Sequence, residues 1–298
     1  WVRCRVLDFA AGVLRSDRQT LASDDGFSAF LECAVTMIDE AVAAGAGALL
    51  GLGLSLPQAG REQAPARHLR EWDQRRLDTA MTKRLGLTPH VADSTYALAA
   101  AELWFGDGRG ADAFLALDCR AGVGAGLVFH GEILSQERPG TGSIGQWPCP
   151  DWLLPERLGD VLSPHAPLRE LVRPLGLLRT YHQLRGGKRP TGADAGGRLT
   201  EFEEAWFADE PEAQAVGRGA AAALGWSTAR IHDLFAPELV ILSYPLTRLG
   251  EPFVDAIRQT LAQHIHGACP RVVCSSLQQY AGAQGAAAVA LHHWQPQA

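Results

Sequence analysis

The chain is 298 residues long, 47% apolar and 20% charged, which is ordinary for a globular protein with a substantial core. Its formal net charge of −6 excludes a broad basic surface for nucleic acid within these residues, and no apolar run approaches the roughly 18 residues of a membrane span. The six cysteines are scattered, without a CxxC pair or a Cys/His cluster. They predict free thiols in a reducing cytoplasm and not disulfides or a zinc site.

The first third of the chain predicts strands that alternate with helices. The predicted elements are a hairpin from residue 1, a helix at about 27–44, a buried strand at 49–56, a polar loop at 58–68 and a helix at about 72–85. A short strand then delivers Asp93 at its carboxyl end, where Asp93 or Ser94 can cap an alanine-rich helix that ends near Phe105. Because Trp1 lies inside an apparent strand, we expect further chain upstream of it.

The segment from 113 to 147 combines a predicted hairpin with many glycines. Strands at 114–117 and 127–129 flank a bend that contains Gly122, Gly124 and Gly126. Glycine tolerates positive φ and brings bare backbone close to a phosphate or a sugar, but hairpins also need glycine for purely structural reasons. The bend therefore leaves a ligand role and a structural role open.

The rest of the chain predicts mostly helices around two more strands. Helical patterns lie at about 166–185, 199–207, 211–234, 251–266 and 281–292, strands at 239–242 and 271–275, and a loop at 186–198. Alternation of this kind indicates an α/β architecture with mixed sheets in two parts. We expect an N-terminal part over 1–110, a C-terminal part with dimerisation helices over 111–280, and a closing helix over 281–298 that packs back on the N-terminal part.

Six segments, in this order and spacing, resemble the ROK family (repressor, open reading frame, kinase). They are 91–95 (VADST), 104–110 (WFGDGRG), 122–126 (GVGAG), 142–146 (GSIGQ), 233–242 (DLFAPELVIL) and 281–287 (AGAQGAA). The resemblance implies the two-lobed actin-like ATPase (ribonuclease H-like) fold with a cleft between lobes, and a homodimer or a dimer of dimers. Family members are sugar kinases or sugar-responsive transcription regulators, and the regulators carry an N-terminal winged helix.

The sugar-binding pattern of the family is kept only in part. ROK kinases have Asn-Asp where this chain has Ala92-Asp93, and the resemblance implies that the Asp takes the proton from the sugar hydroxyl. An Asp before a helix is also an ordinary N-cap, so both roles stay open for Asp93. The family's Glu-x-Gly-His segment is Ser143-Ile144-Gly145-Gln146 here, without the acid or the histidine.

The nucleotide and zinc patterns of the family are also altered. The Gly-Thr-Gly of the phosphate hairpin is Arg120-Ala121-Gly122, and the glycine-rich turn beside adenine is Ser243-Tyr244-Pro245. The resemblance implies that the first phosphate loop of the family would lie just before Trp1. Arg157 and Gly159 stand where the zinc loop ends in Cys and Glu, and Cys149 alone makes no site. We therefore expect neither ATP nor zinc as a cofactor.

These departures favour a ROK-type transcriptional regulator, represented by its sugar-sensing and dimerisation portion and lacking kinase activity. The expected effector is a sugar or sugar phosphate, with Ser55, Asp93, Ser143 and Gln146 as its polar contacts. DNA would be bound through a region outside this chain, and no membrane contact is expected. The alternative is a divergent ATP-dependent sugar kinase with Asp93 as base, and a third interpretation is a scaffold whose glycines serve packing alone.

Overall fold

A computed structural model describes residues 2–46, 49–57, 67–120, 122–134, 141–187, 190 and 195–293, with the side chains of 45–46 and 195–198 excepted. Contacts divide the described residues into two compact units. Unit 1 comprises the residues up to Arg109 together with 279–293, and unit 2 comprises 110–134 and 141–278. Most of the predicted polar loop at 58–68 lies outside the described residues, as do Trp1 and Ala121.

Unit 1 combines four short strands with five helices in its described part. Its elements are β1 (Val2–Leu7), β2 (Val13–Gln19), α1 (Phe27–Ala41), β3 (Gly53–Leu56), α2 (Arg67–Arg70), α3 (Gln74–Leu85), β4 (His90–Asp93), α4 (Ser94–Phe105) and α10 (Ala281–His292). β1 and β2 form an antiparallel hairpin, and β3 pairs with β4 in parallel. The helix predicted at 27–44 ends as α-helix at Ala41 and continues as a π-helical turn, Val42–Ala46.

Local signals set the ends of the unit 1 helices. The Asp73 carboxylate accepts a hydrogen bond from the Arg76 amide and begins α3, and Gly86 ends that helix at φ 69°. Glycine reaches this left-handed conformation without steric cost, which explains why the helix stops there. The predicted helix at 72–85 is therefore α3, preceded by the separate turn α2.

The two faces of the β3–β4 pair pack against different helices. Leu54 and Val91 pack against the apolar cluster that includes Phe27, Leu77 and Met81. The other face meets α10 at very short range, because a Cβ on Gly53 would lie 1.8 Å from the Ala286 carbonyl oxygen. The small residues of α10 therefore serve close packing inside unit 1.

Unit 2 is built on one mixed sheet of five strands among its described residues. Its elements are β5 (Ala113–Asp118), β6 (Gly124–Phe129), β7 (Glu132–Leu134), α5 (Leu168–Val172), α6 (Pro174–Leu184), α7 (Ala195–Phe207), α8 (Pro211–Phe235), β8 (Leu239–Leu242), α9 (Gly250–His264) and β9 (Arg271–Cys274). The strand order is β7-β6-β5-β8-β9, with β7, β6 and β5 antiparallel and β5, β8 and β9 parallel. β5 and β8 are buried along their whole length, as expected for central strands covered on both faces.

The glycine bend is shorter than the sequence predicts. Gly124 pairs with Asp118 and Gly126 pairs with Ala116 in the β5–β6 ladder. Both glycines are therefore strand residues, and the connection narrows to 119–123. The prediction was wrong here because glycine is depleted in strands, so three glycines in five residues are typical of a turn.

Two other predictions in unit 2 change at proline and glycine positions. The helix predicted at 166–185 is two helices, α5 and α6, since Pro174 begins α6 and cannot continue a preceding helix. The loop predicted at 186–198 is cut short because α7 begins at Ala195, and residues 188–189 and 191–194 of that loop lie outside the described residues. No helix within the described ranges is long and apolar enough to cross a membrane.

Candidate functional site

Asp93 stands where β4 ends and α4 begins. Its Oδ1 accepts hydrogen bonds from the Thr95 amide at 2.9 Å and from the Thr95 hydroxyl at 2.6 Å. The side chain thus caps α4. The carboxylate is partly exposed, so the geometry gives Asp93 a fixed orientation together with access to solvent.

Ser55 belongs to the opposite face of the same strand pair. It is the register partner of Ala92, and Leu56 is the partner of Asp93. Because successive strand residues point to opposite faces, Ser55 follows Gly53 toward α10 while Asp93 follows Val91. The structure therefore does not bring the Ser55 and Asp93 side chains to one face.

Unit 2 contains a charge pair at the start of the hairpin connection. The Asp118 carboxylate accepts hydrogen bonds from the Arg120 Nε at 2.8 Å, the Arg120 Nη2 at 2.8 Å and the Arg120 amide at 3.1 Å. The Asp118 side chain is 6% exposed and the Arg120 side chain 26%. The Nε–Nη2 edge of the guanidinium binds one carboxylate, which is the strong bidentate form of this interaction.

The Asp118–Arg120 pair affects whether the connection between β5 and β6 can bind a phosphate. The position of a Cβ on Gly122 has no atom within 4 Å, so the backbone is open there. A phosphate at the connection would nevertheless approach the buried Asp118 carboxylate, and the Nε and Nη2 donors of Arg120 already face that carboxylate. The Arg120–Asp118 pair therefore weakens the connection as a site for nucleotide phosphates.

The turn after β8 is filled by side chains. The Ser243 amide donates to the Leu117 carbonyl at 3.2 Å, and Ser243 is 2% exposed. Pro245 is buried behind a cis peptide bond with Tyr244. Ligands of open α/β sheets bind at the carboxyl ends of the strands, and here that end of β8 is occupied by packed residues.

The Gly142–Gln146 segment lies against the hairpin. Gly142 accepts a hydrogen bond from the Ala125 amide at 2.8 Å, and the Gly145 amide donates to the Val123 carbonyl at 2.9 Å. A Cβ on Gly142 would lie 2.1 Å from the Ala125 carbonyl oxygen, so this approach requires glycine. Ser143 and Gln146 are exposed on either side of the buried Ile144.

The residues at the expected zinc loop are engaged otherwise. Arg157 pairs with Glu212 at 3.0 Å. Burial, reinforced by the Asp151 charge, raises the pKa of the Cys149 thiol to about 12, so it stays protonated and binds metal poorly. Within the described ranges, no three His, Cys, Asp or Glu side chains are grouped to hold a metal ion.

Comparison with known proteins gives one consistent fold. The chain is 28% identical over 244 residues to a glucokinase of Thermotoga maritima, a match that covers 74% of this chain and 71% of that protein. It superposes with a TM-score of 0.71 on a ROK family glucokinase from Streptomyces griseus in complex with glucose and AMPPNP, at 22% identity over 97% of this chain and 95% of that one. The fold is that of the ROK proteins.

A regulator shares this fold as well. A ROK family transcriptional regulator homologous to the E. coli MLC protein superposes with a TM-score of 0.74 and 19% identity, covering 96% of this chain and 74% of that one. No family model matches the chain. The likenesses confirm the α/β actin-like ATPase fold expected from the sequence.

The role of Asp118 is not predicted from the sequence. Asp118 follows the strand predicted at 114–117 and belongs to no family motif, yet its carboxylate binds the Arg120 guanidinium. The Asp-x-Arg spacing at the end of a strand is the only signal, because an Asp side chain commonly bonds the backbone two residues later.

Proposed function

We propose that this chain is a sugar-binding protein of the ROK type in which Asp93 contacts a sugar hydroxyl. The observation that carries the proposal is the placement of Asp93 at the carboxyl end of β4, with its Oδ1 oriented by Thr95. The glucose complex of the Streptomyces griseus glucokinase, which shares the fold, supports a sugar as the ligand class.

Phosphorylation of the bound sugar is the first candidate activity. It is supported by the similarity to the Thermotoga maritima glucokinase and by the likeness to further solved sugar kinases. Asp93 would accept the proton of the attacking hydroxyl, which is the role of a general base within hydrogen-bond reach. The Asp118–Arg120 pair places a buried carboxylate beside the hairpin connection and engages two Arg120 donors, which counts against the kinase candidate.

Sugar sensing without phosphoryl transfer is the second candidate. The Asp118–Arg120 pair and the filled turn at Ser243–Pro245 favour it, since phosphoryl transfer depends on positioning and charge neutralisation at these places. The likeness to a ROK transcriptional regulator is consistent with such a role. DNA binding, oligomerisation and a cytoplasmic location remain proposals attached to this candidate.

The experiment compares wild type with Asp93→Asn and Asp93→Ala. Asn is as good an N-cap as Asp, so D93N should keep thermal stability within about 0.5 kcal/mol while losing the base, whereas D93A should lose about 1 kcal/mol. Glucose and other hexoses are tested for thermal shifts, and glucose with ATP is tested for turnover.

The outcomes separate the candidates. Turnover in wild type that falls at least a hundredfold in D93N establishes the kinase. A sugar-dependent shift without turnover, weakened in D93N, establishes sensing. If no hexose shifts the melting temperature of wild type, the proposal of sugar binding is wrong.

A further inference from the structure

Two histidines from distant parts of the chain stack on each other in unit 1. His90 begins β4, and His293 directly follows the last residue of α10. Their ring centroids lie 4.9 Å apart, and the ring planes are inclined by 13°. This histidine pair therefore joins the start of a strand to the end of a helix.

The course of α10 brings the two rings together. A Cβ on Gly53 would lie 1.8 Å from the Ala286 carbonyl oxygen. A Cβ on Gly51, which precedes β3, would lie 3.5 Å from the Cβ of Ala290. Later residues of α10 lie beside earlier residues of the strand segment, so the helix runs antiparallel to the parallel β3–β4 pair. The end of α10 therefore lies at the start of β4, opposite to the end that carries Asp93.

No acid accompanies the histidine pair. Within the described ranges, neither ring has a nitrogen within 4.0 Å of a carboxylate oxygen. β3 carries no titratable residue. The other titratable residues of β4 and of the helices packed against it are Asp93 at the far end of β4, Tyr96 and Glu102 on α4, and His292 on α10. Glu102 is fully buried and accepts a hydrogen bond from the Asp107 amide. His292 is a further base, and its ring lies 5.4 Å from that of His293.

Protonation turns a stack of neutral rings into two like charges at close range. Burial, and then the charge of His293, lower the pKa of His90 below its ordinary value. As the pH falls below about 6.5, the unfolded chain therefore binds more protons than the folded chain, and the free energy of unfolding decreases. Well above that pH, His90 is neutral in both states and its contribution to stability is complete.

We propose that the histidine pair is a pH-sensitive contact, which holds the last turn of α10 on the start of β4 near neutral pH and releases it in mildly acidic solution. The middle of α10 stays in place, because a Cβ on Gly285 would lie 1.6 Å from the Ala97 carbonyl oxygen of α4 and the two helices are closely packed there. The inference concerns contacts inside unit 1 and does not depend on sugar binding at Asp93.

The first test is the melting temperature of the full chain at about pH 7.5 and about pH 5.5. Wild type should lose about 1–3 °C more than His90→Gln between these conditions, because the variant removes the group whose pKa is lowered. His293→Gln removes one of the two causes of that lowering and should lie between them. His266→Gln is the matched control, since it removes an exposed histidine of unit 2 and should lose as much as wild type. His292 is present in every variant, so its titration cancels in the comparison.

Amide hydrogen exchange locates the change within α10. The His293 amide donates to the Val289 carbonyl at 3.2 Å and closes the last turn. In wild type, the protection of amides 290–293, corrected for the intrinsic exchange rate, should fall by about threefold or more at the lower pH, while protection near Ala286 changes by less than about twofold. In H90Q this fall should be absent. Equal losses of melting temperature in wild type, H90Q and H293Q, or a fall in protection spread evenly along α10, would overturn the proposal.

Discussion

Arg120→Met tests the conclusion that Arg120 and the buried Asp118 form a stabilising ion pair at the hairpin connection. The substitution keeps the length and apolar stem of the side chain and removes the two guanidinium hydrogen bonds to Asp118. Asp118 then stays buried with the amide of residue 120 as its remaining donor from this pair.

The expected cost depends on the burial of the pair. Removing one partner of a fully buried ion pair costs about 3–5 kcal/mol. Arg120 is about a quarter exposed and one donor to Asp118 persists, so solvent screening reduces the figure. We expect R120M to lower the free energy of unfolding by about 2 kcal/mol, measured by urea denaturation.

A double-mutant cycle with Asp118→Asn isolates the pair. The double variant D118N/R120M should cost at least 1 kcal/mol less than the sum of the single variants, since it leaves no buried charge. Arg157→Met is the control, because Arg157 is more than half exposed in its pair with Glu212, and should cost less than about 1 kcal/mol. If R120M costs no more than R157M and the cycle shows no coupling, the Asp118–Arg120 pair does not stabilise the fold.

Two further predictions concern glycine positions and thiols. Gly285→Ala should cost more than about 3 kcal/mol of unfolding free energy, because its Cβ would lie 1.6 Å from a backbone carbonyl oxygen of α4. Gly86→Ala is the control: its Cβ would have nothing within 4 Å, so the substitution should cost only about 1 kcal/mol of backbone strain at φ 69°. Equal costs of the two variants in urea unfolding would contradict the close packing of α10. Cys269 is exposed, and burial raises the pKa of Cys119 and of Cys149, the latter to about 12. A thiol reagent at pH 8 should therefore modify Cys269 in the folded protein but Cys119 and Cys149 only after unfolding, and rapid labelling of Cys149 at pH 8 would refute that burial.

The sequence predicts elements best where a periodic apolar pattern meets a clear stop. The strand at 239–242 and the helix at 281–292 have the predicted bounds. Gly124 and Gly126 were misplaced because the ladder with β5, and not their own propensity, holds them in a strand. Tertiary pairing overrides local preference at such positions.

In the candidate site, the sequence predicts a side-chain role only where that role depends on adjacent residues in the chain. Asp93 as an N-cap follows from the strand–helix boundary alone. The Asp118–Arg120 pair depends on which rotamers meet.

The residues that carry the resemblance to ROK proteins are either glycines required by close packing or polar residues of the candidate site. Gly142 and Gly145 are required by backbone approach to the hairpin, as Gly285 is by approach to α4. Such glycines are evidence for the fold, and a kinase and a regulator need them equally. Function depends on the polar positions, where the proposed function gives Asp93 a contact with a sugar hydroxyl and Arg120 is paired with Asp118. A protein could keep sugar recognition after phosphoryl transfer was lost, but the reverse order would leave a kinase without a substrate. The two candidates are therefore distinguished by measuring sugar binding and sugar phosphorylation in the same preparation. A further likeness to a kinase or to a regulator would not distinguish them.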